Sequence, residues 1–235
     1  MNILTDQLPE TVLVAGQEHK INTDFRVSIR FEEMIQDKNI TEEQRFFVED
    51  ILNIPEFDVD EKKARLLAKY NSGLVLYYPE IPEDLDGAIS QMLWFYQCGK
   101  TEEQKQSGKG KKQDQIYSFT HDADYIYAAF MEQYGIDLNA VELHWWKFSA
   151  MFAGLKEDCL ISKVMGYRAA DTAGMDKEQK KFYKKMKEIY KLPENVSEED
   201  RMLEEEVTGG TGGSEHGTRR GLGPLRVPFP LCGRA

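Results

Sequence analysis

The sequence predicts an all-α, or mainly α, protein: a compact multi-helix domain with a small N-terminal β-hairpin and a disordered C-terminal tail. Three observations support this prediction. Apolar residues recur at helical spacing through most of the chain. Capping residues, glycines and prolines lie at the ends of those segments, where helices would begin and end. Only residues 11–21 alternate in the manner of a hairpin, with a turn near Gly16-Gln17.

The first helices follow this hairpin. One begins near Asp24, where Asn22 or Thr23 could cap it. Thr41 and Gln44 have the spacing of a capping box for the second helix. A third helix is expected over about 60–70, ending at Asn71-Ser72-Gly73. Residues 74–78, LVLYY, fit either a short strand or a buried connector, because periodicity does not separate the two.

Five further helices are predicted from start and stop signals. The first follows Pro82 and ends at Gly99, and the second runs from Thr120 or His121 to Gly135. The others begin near Asp137 or Asn139, at Asp158 and at Asp176, and end at Gly154, Arg168 and Pro193.

Composition divides the chain into four parts. Residues 1–99 form an N-terminal helical part that includes the hairpin, and residues 116–192 form a C-terminal helical part packed on it. Between them, residues 100–115 form a flexible Lys-rich linker without large apolar residues. Residues 193–235 are expected to be a disordered tail, rich in Gly, Pro and Arg from Thr208.

The charge balance argues against general nucleic-acid binding, which needs clustered Lys and Arg. The net charge of the 235 residues is −11. Residues 208–235 carry four arginines and one acid, Glu215, a net charge of +3, so residues 1–207 carry −14.

No apolar run approaches the ~20 residues of a membrane span, and MNILTDQLPE lacks the features of a signal peptide. The three cysteines are widely separated and read as reduced thiols. We therefore expect a cytoplasmic protein.

His121 and Asp122 resemble the His-Asp pair of metal phosphohydrolases. That chemistry needs several further ligands, and the chain has four histidines in all. A helix N-terminal cap explains the pair better. Glu142 and His144, two apart on the predicted helix, would point in different directions. No catalytic, cofactor or metal residue is assigned.

Three aromatic residues are weak candidates for a partner surface: Tyr125, Tyr127 and Trp146. Each lies on a predicted helix that cannot bury every face, although ordinary core packing is the simpler explanation. The seven lysines of residues 177–191 could contact a membrane or nucleic acid, but they surround a narrow apolar stripe, as on a solvated face.

One family resemblance runs from about Thr11 to Leu192. AISQMLWFYQCGK, the Lys-rich linker, HDADYIYAAF, YGIDL, LHWWKF and GYR occur in an order and spacing similar to the phage family called "gene product fifteen". The resemblance implies a non-enzymatic, helical tail assembly chaperone that binds the tape measure protein before tail tube polymerisation. Repeated copies along one client would gain avidity through contacts with their neighbours, so we also expect self-association. A structural tail-completion or connector protein is the alternative, and a hydrolase around His121 and Asp122 is the least favoured.

The tail from Thr208 departs from the family pattern. Three origins stay open: an extension made by ribosomal frameshift, an out-of-frame scar, or sequence introduced by cloning.

Overall fold

The computed structural model describes residues 2–52, 60–100 and 115–193. They form two compact units: residues 2–30, 74–100 and 115–193 make up the larger unit, and residues 31–52 and 60–73 the smaller one. Most of the predicted linker (101–114) and of the predicted tail (194–235) lies outside the described residues.

The described residues contain one two-stranded sheet and eight helices, which confirms the mainly α prediction. The strands are β1 (Thr11–Val14) and β2 (Gln17–Lys20). The helices are α1 (Phe25–Gln36), α2 (Glu42–Leu52), α3 (Glu61–Tyr77), α4 (Leu85–Tyr96), α5 (Ala123–Tyr134), α6 (Trp145–Ala153), α7 (Leu160–Ala169) and α8 (Lys177–Ile189). Within these residues no helix is both long enough and apolar enough to cross a membrane.

The predicted hairpin is present and its strands are antiparallel, with Val14 paired to Gln17. The turn residues, Ala15 and Gly16, have φ of 48° and 80°. Positive φ at both central residues is the geometry of a two-residue turn whose twist matches that of the strands. Val12 and Val14 are buried while Thr11 and Leu13 face outward, so the alternation in β1 gives the hairpin one apolar face.

The larger unit has an aromatic core. Phe148 stacks on Phe25 and Phe130, with ring centroids 4.7 and 5.0 Å apart. Backbone bonds join the start of α1 to the start of α6: Trp145 N donates to Thr23 O at 2.7 Å, and Phe25 N donates to Leu143 O at 3.0 Å. Asp24, rather than the predicted Asn22 or Thr23, caps α1 through its carboxylate, which accepts from Arg26 N.

The predicted helix start at Asp137 or Asn139 is wrong, because α6 begins only at Trp145. The Asp137 carboxylate accepts from Asn139 N and from the Tyr127 hydroxyl, which fixes a turn. Leu143 then pairs with the backbone of α1. Backbone hydrogen bonds to the start of α1 therefore replace the helical turns that the local sequence pattern predicted.

The smaller unit contains α2 and most of α3. The predicted capping box is confirmed: Gln44 N donates to Thr41 Oγ1 at 3.2 Å, and the Gln44 side chain accepts from Thr41 N at 3.0 Å. Gln44 also donates to Ser72 Oγ on α3. Val48 of α2 packs with Ala64 and Ala68 of α3.

The predicted end of the third helix is also wrong, since α3 continues through Gly73 to Tyr77. Ser72 donates its hydroxyl to Ala68 O one turn back, which is compatible with a helix interior. Leu74 and Tyr77 are fully buried. Residues 74–77 are therefore helical, and form neither a strand nor a connector. Burial of their apolar side chains outweighs the cost of ~1 kcal/mol for having Gly73 inside a helix.

Helix α4 starts later than Pro82 suggested. Asp84 is the N-cap and accepts from Gly87 N. At the other end, Gly99 N donates to Trp94 O and Cys98 N donates to Phe95 O, which is a Schellman motif. Cys98 and Gly99 both have positive φ, 56° and 68°.

Candidate functional site

Asp122 lies at the N-cap position of α5, but its side chain does not cap that helix. Its carboxylate accepts from both terminal nitrogens of Arg168, at 2.6 and 2.9 Å, and from Ser118 N at 2.9 Å. The side chains of Asp122 and Arg168 are 1% and 9% exposed. The prediction that the Asp122 side chain caps the helix is thus wrong, because its carboxylate is instead bound by the buried Arg168.

Arg168 joins three parts of the larger unit. Besides Asp122, its guanidinium donates to Ile116 O at 3.0 Å and to Tyr190 O at 2.6 Å. Arginine suits this position because its planar fork has several donors with fixed directions. The segment before α5, helix α7 and the residue after α8 are therefore held around one side chain.

The metal hypothesis for His121 and Asp122 finds no support in the described part of the chain. His121 is exposed, while Asp122 faces inward to Arg168. No group of three or more His, Cys, Asp or Glu side chains suitable for a metal occurs among the described residues. A carboxylate paired bidentately with arginine has a structural role that accounts for all its contacts.

Trp146 is buried, at 4% exposure, so of its two explanations core packing applies and the candidate partner surface does not. Its indole nitrogen donates to Phe95 O at 2.8 Å, and that of Trp145 donates to Tyr96 O at 2.7 Å. Both acceptors lie in the last turn of α4, where helix carbonyls lack intrahelical donors. The Trp-Trp pair therefore packs against α4 and satisfies its C-terminal end.

His144 caps α6, and neither it nor Glu142 lies within a helix. Its Nδ1 accepts from Trp146 N at 3.0 Å, and its Nε2 lies 3.1 Å from Pro9 O. A ring that accepts at Nδ1 must be neutral and carry its proton on Nε2, which then donates to Pro9. Burial lowers the pKa of His144, and the bond to the Pro9 carbonyl opposes this only in part. The neutral ring is therefore a structural connector between α6 and the N-terminal segment.

Tyr125 and Tyr127 are both half-buried on α5. The Tyr127 hydroxyl donates to the Asp137 carboxylate at 3.1 Å, which raises the pKa of Tyr127. Two positions apart on a helix, these tyrosines point to different faces. A single flat partner could therefore contact one of them but not both.

Residues 4–192 match the family described as bacteriophage Gp15 protein. The chain belongs to that family. The match confirms the resemblance inferred from the ordered motifs. No curated protein and no solved structure matches this chain.

Several exposed apolar side chains of this Gp15 family member were missed at the sequence level. In the larger unit they include Leu13 of β1 (60%), Val75 of α3 (67%) and Leu85 of α4 (49%). In the smaller unit Phe46 of α2 is 67% exposed. The alternation in β1 could have revealed Leu13, because Val12 and Val14 set which face is buried.

Met131 of α5 is 39% exposed and lies one helical turn after Tyr127. Residues four apart lie on the same helix face, so these two side chains are neighbours. They form the α5 surface, defined as Tyr127 and Met131, which retains one of the tyrosines singled out from the sequence.

Proposed function

We propose that this Gp15 family protein is a non-enzymatic phage tail assembly chaperone. It would bind the tape measure protein in the host cytoplasm before the tail tube polymerises, and it would also self-associate. The observation that carries the proposal is the match of residues 4–192 to a bacteriophage family, together with a helical fold that exposes apolar side chains.

A chaperone for a long helical client needs exposed apolar groups on a stable scaffold. Helices dock into partners through apolar residues spaced three or four apart. Tyr127 and Met131 have this spacing on α5, which is held in place by the burial of Ile126, Ala129 and Phe130 on its other side. We propose the α5 surface as one client contact.

The chemistry of the larger unit supports a binding role over catalysis. Its most buried ionic group, Asp122, is neutralised by Arg168 and further bonded to Ser118 N. His144, one of its half-buried histidines, uses both ring nitrogens in backbone contacts. General acid–base or metal catalysis needs such groups turned toward a substrate.

The direct test is co-expression of the full chain with the neighbouring tape measure protein, followed by affinity capture and size-exclusion chromatography with light scattering. We expect a soluble complex containing several copies of the chain. Tape measure protein that stays insoluble and is not captured would contradict the proposal. Finding the protein as a stoichiometric component of purified virions would also contradict it, and would instead favour a tail-completion or connector protein.

A matched pair of variants tests the α5 surface. Tyr127→Ser with Met131→Ser should weaken capture of the tape measure protein by about tenfold, the effect of ~1.4 kcal/mol at a contact residue. Tyr125→Ser is the control, because it removes the same ring from a different face of the helix. Circular dichroism must first show that both variants are folded. If the double variant then captures the tape measure protein as well as the Tyr125→Ser control does, the α5 surface is not a client contact. The chaperone proposal itself would still stand.

A further inference from the structure

Helix α8 leaves part of its apolar side uncovered. The Tyr167 ring of α7 contacts the rings of Phe182, Tyr183 and Tyr190, at centroid distances of 5.9, 6.2 and 5.9 Å. No residue of α8 is buried, however, and Phe182 and Ile189 are 48% and 57% exposed. Because these two side chains are seven residues apart, they lie about 20° from each other around the helix axis and about 10 Å apart along it. Together they form the open edge of α8.

The charge around this open edge is mainly positive. Residues 177–191 carry seven lysines and two glutamates, a net charge of +5 in a chain whose net charge is −11. Lys185 lies between Phe182 and Ile189 along the axis, and about 40° from Ile189 around it. Glu178 is closer to Ile189 around the axis, at about 20°, but it lies in the first turn, beyond Phe182. An acidic partner would therefore meet Lys185 between the two apolar side chains and Glu178 only at one end.

A second exposed surface of the larger unit has the opposite charge. It lies just before α4 and in its first turn, where Ile81 and Leu85 are 44% and 49% exposed. Four acids around them are also exposed: Glu80, Glu83, Asp84 and Asp86. Residues 70–99 contain no lysine or arginine. The hairpin that packs on α4 adds Glu18 and Lys20, whose charges cancel. Ile81, Leu85 and the four acids are called the acidic surface.

The open edge of α8 and the acidic surface do not cover each other within one chain. Phe182, Ile189, Ile81 and Leu85 are all between 44 and 57% exposed. Exposed apolar side chains bordered by charged residues are typical of protein interaction sites. Since the two surfaces are opposite in charge, each has the character that the other would bind, and any contact between them must join two molecules.

We propose that the open edge of α8 docks on the acidic surface of a second copy of this chain. Phe182 and Ile189 would pack against Ile81 and Leu85, while Lys185 would face the acids. The contact is heterologous, because its two sides are different surfaces. A pair of copies therefore keeps one unused surface of each kind, and further copies can add at both ends to form a head-to-tail chain.

This inference rests on the proposed function, and it names the surfaces through which the chaperone would self-associate. A long client offers binding positions to many copies in succession. Contacts between neighbouring copies would raise the avidity of the array for that client. Complementary charge favours α8 against an acidic surface and disfavours two acidic surfaces, so it would set the direction in which copies add.

Charge reversal in the full chain tests the contact, with no tape measure protein present. Lys181→Glu with Lys185→Glu reverses the charge on the side of α8 next to its open edge, and Glu80→Lys with Glu83→Lys reverses that of the acidic surface. Sedimentation velocity over a range of protein concentrations should show that the parent grows beyond dimers. Either double variant alone should raise the dissociation constant at least about tenfold, since like charges then face each other.

A mixture of the two double variants gives the decisive result. Each variant then offers the other a surface of opposite charge, so the mixture should associate although neither variant does so alone. Lys180→Glu with Lys184→Glu is the matched control, because it makes the same change of charge at exposed positions about 150–170° from the open edge. This control should associate as the parent does. Circular dichroism checks that every variant is folded.

Three results would overturn the inference. One is a parent that stays monomeric, and if that parent binds vesicles containing phosphatidylserine through Lys181 and Lys185, the open edge is a membrane contact instead. Another is association that stops at a dimer, which a head-to-tail contact does not impose. The third is a mixture of the two double variants that associates no better than either alone.

The outcome is separable from that of the proposed function. Capture of the tape measure protein by a chain that does not self-associate would remove this contact and keep the chaperone proposal. Head-to-tail assembly without capture would keep the contact and remove the client.

Discussion

Asp122 and Arg168 are 46 residues apart in sequence and form a bidentate ion pair at 2.6 and 2.9 Å inside the larger unit. The net stabilisation from such a buried pair is small, because desolvation of both charges offsets much of their attraction. Removing one partner is different, since the other charge is then left buried and unpaired. The pair therefore acts mainly to specify where α5 and α7 meet.

Replacing Arg168 by Met should lower the free energy of unfolding by about 3–5 kcal/mol, because it leaves the Asp122 carboxylate buried without its cation. It also removes the donors to Ile116 O and Tyr190 O. Urea unfolding followed by far-ultraviolet circular dichroism measures the change.

Arg168→Lys is the informative control. It keeps the positive charge but loses the two-point geometry, so its loss should be smaller than that of Arg168→Met. An Arg168→Met protein as stable as the parent, within about 0.5 kcal/mol, would show that the ion pair is not maintained in solution.

Gly99 is the second position where a small change should have a large effect. A Cβ at this residue would lie 2.8 Å from Cη2 of Trp146, and its φ is +68°. Gly99→Ala should therefore cost about 2–4 kcal/mol, combining overpacking with left-handed backbone strain. Thermal unfolding monitored by tryptophan fluorescence follows both the stability and the indole environment.

The preceding residue provides the opposite test. Cys98 is not a glycine but has φ of +56°. Cys98→Gly should relieve that strain and raise stability by up to about 1 kcal/mol, less the larger entropy of a glycine in the unfolded chain. A stabilising Gly99→Ala, or a Cys98→Gly that costs more than about 1 kcal/mol, would contradict the observed end of α4.

His144 should make folding sensitive to mild acid. Its pKa in the folded protein lies below the ordinary value of 6.5, because burial disfavours the charged ring. The stability contributed by the neutral ring is therefore fully present above about pH 6.5 and is lost as the pH falls through the folded-state pKa. Denaturant midpoints measured between pH 7.5 and pH 5 would reveal the loss.

His144→Asn is the control for this titration. Asparagine is a good N-cap, so the bond from Trp146 N can be retained while the titrating group is removed. The pH dependence between about 7 and 5 should become shallower in this variant. If the slope of stability against pH is the same in this variant as in the parent, the acid sensitivity comes from groups other than His144.

Local sequence signals predicted the ends of helices best where the capping bonds are formed within a few residues. Thr41 with Gln44, Asp176 at the start of α8, and Gly135 in left-handed conformation at the end of α5 are all present as expected. Each depends on neighbouring backbone atoms alone, so no tertiary contact is needed to satisfy it.

Prediction failed where distant residues supply the bonding partners. Asp122 had the position of a cap but is held by Arg168, and residues 137–144 had helical pattern but pair with α1. Core packing was the simpler explanation for Trp146, but its partner was not predicted: a carbonyl at the end of α4 accepts from its indole. None of these partners lies within the local window that a sequence pattern samples.

By itself, the sequence determined that this chain is mainly helical, where most of its helices begin and end, and that it belongs to a bacteriophage family. These properties follow from local hydrogen bonds, apolar periodicity and the order of motifs along the chain. Only the tertiary structure decided which polar groups are neutralised inside and which apolar side chains stay outside. Those outcomes depend on which side chains come together from distant positions, since burial and hydrogen bonding are satisfied in three dimensions.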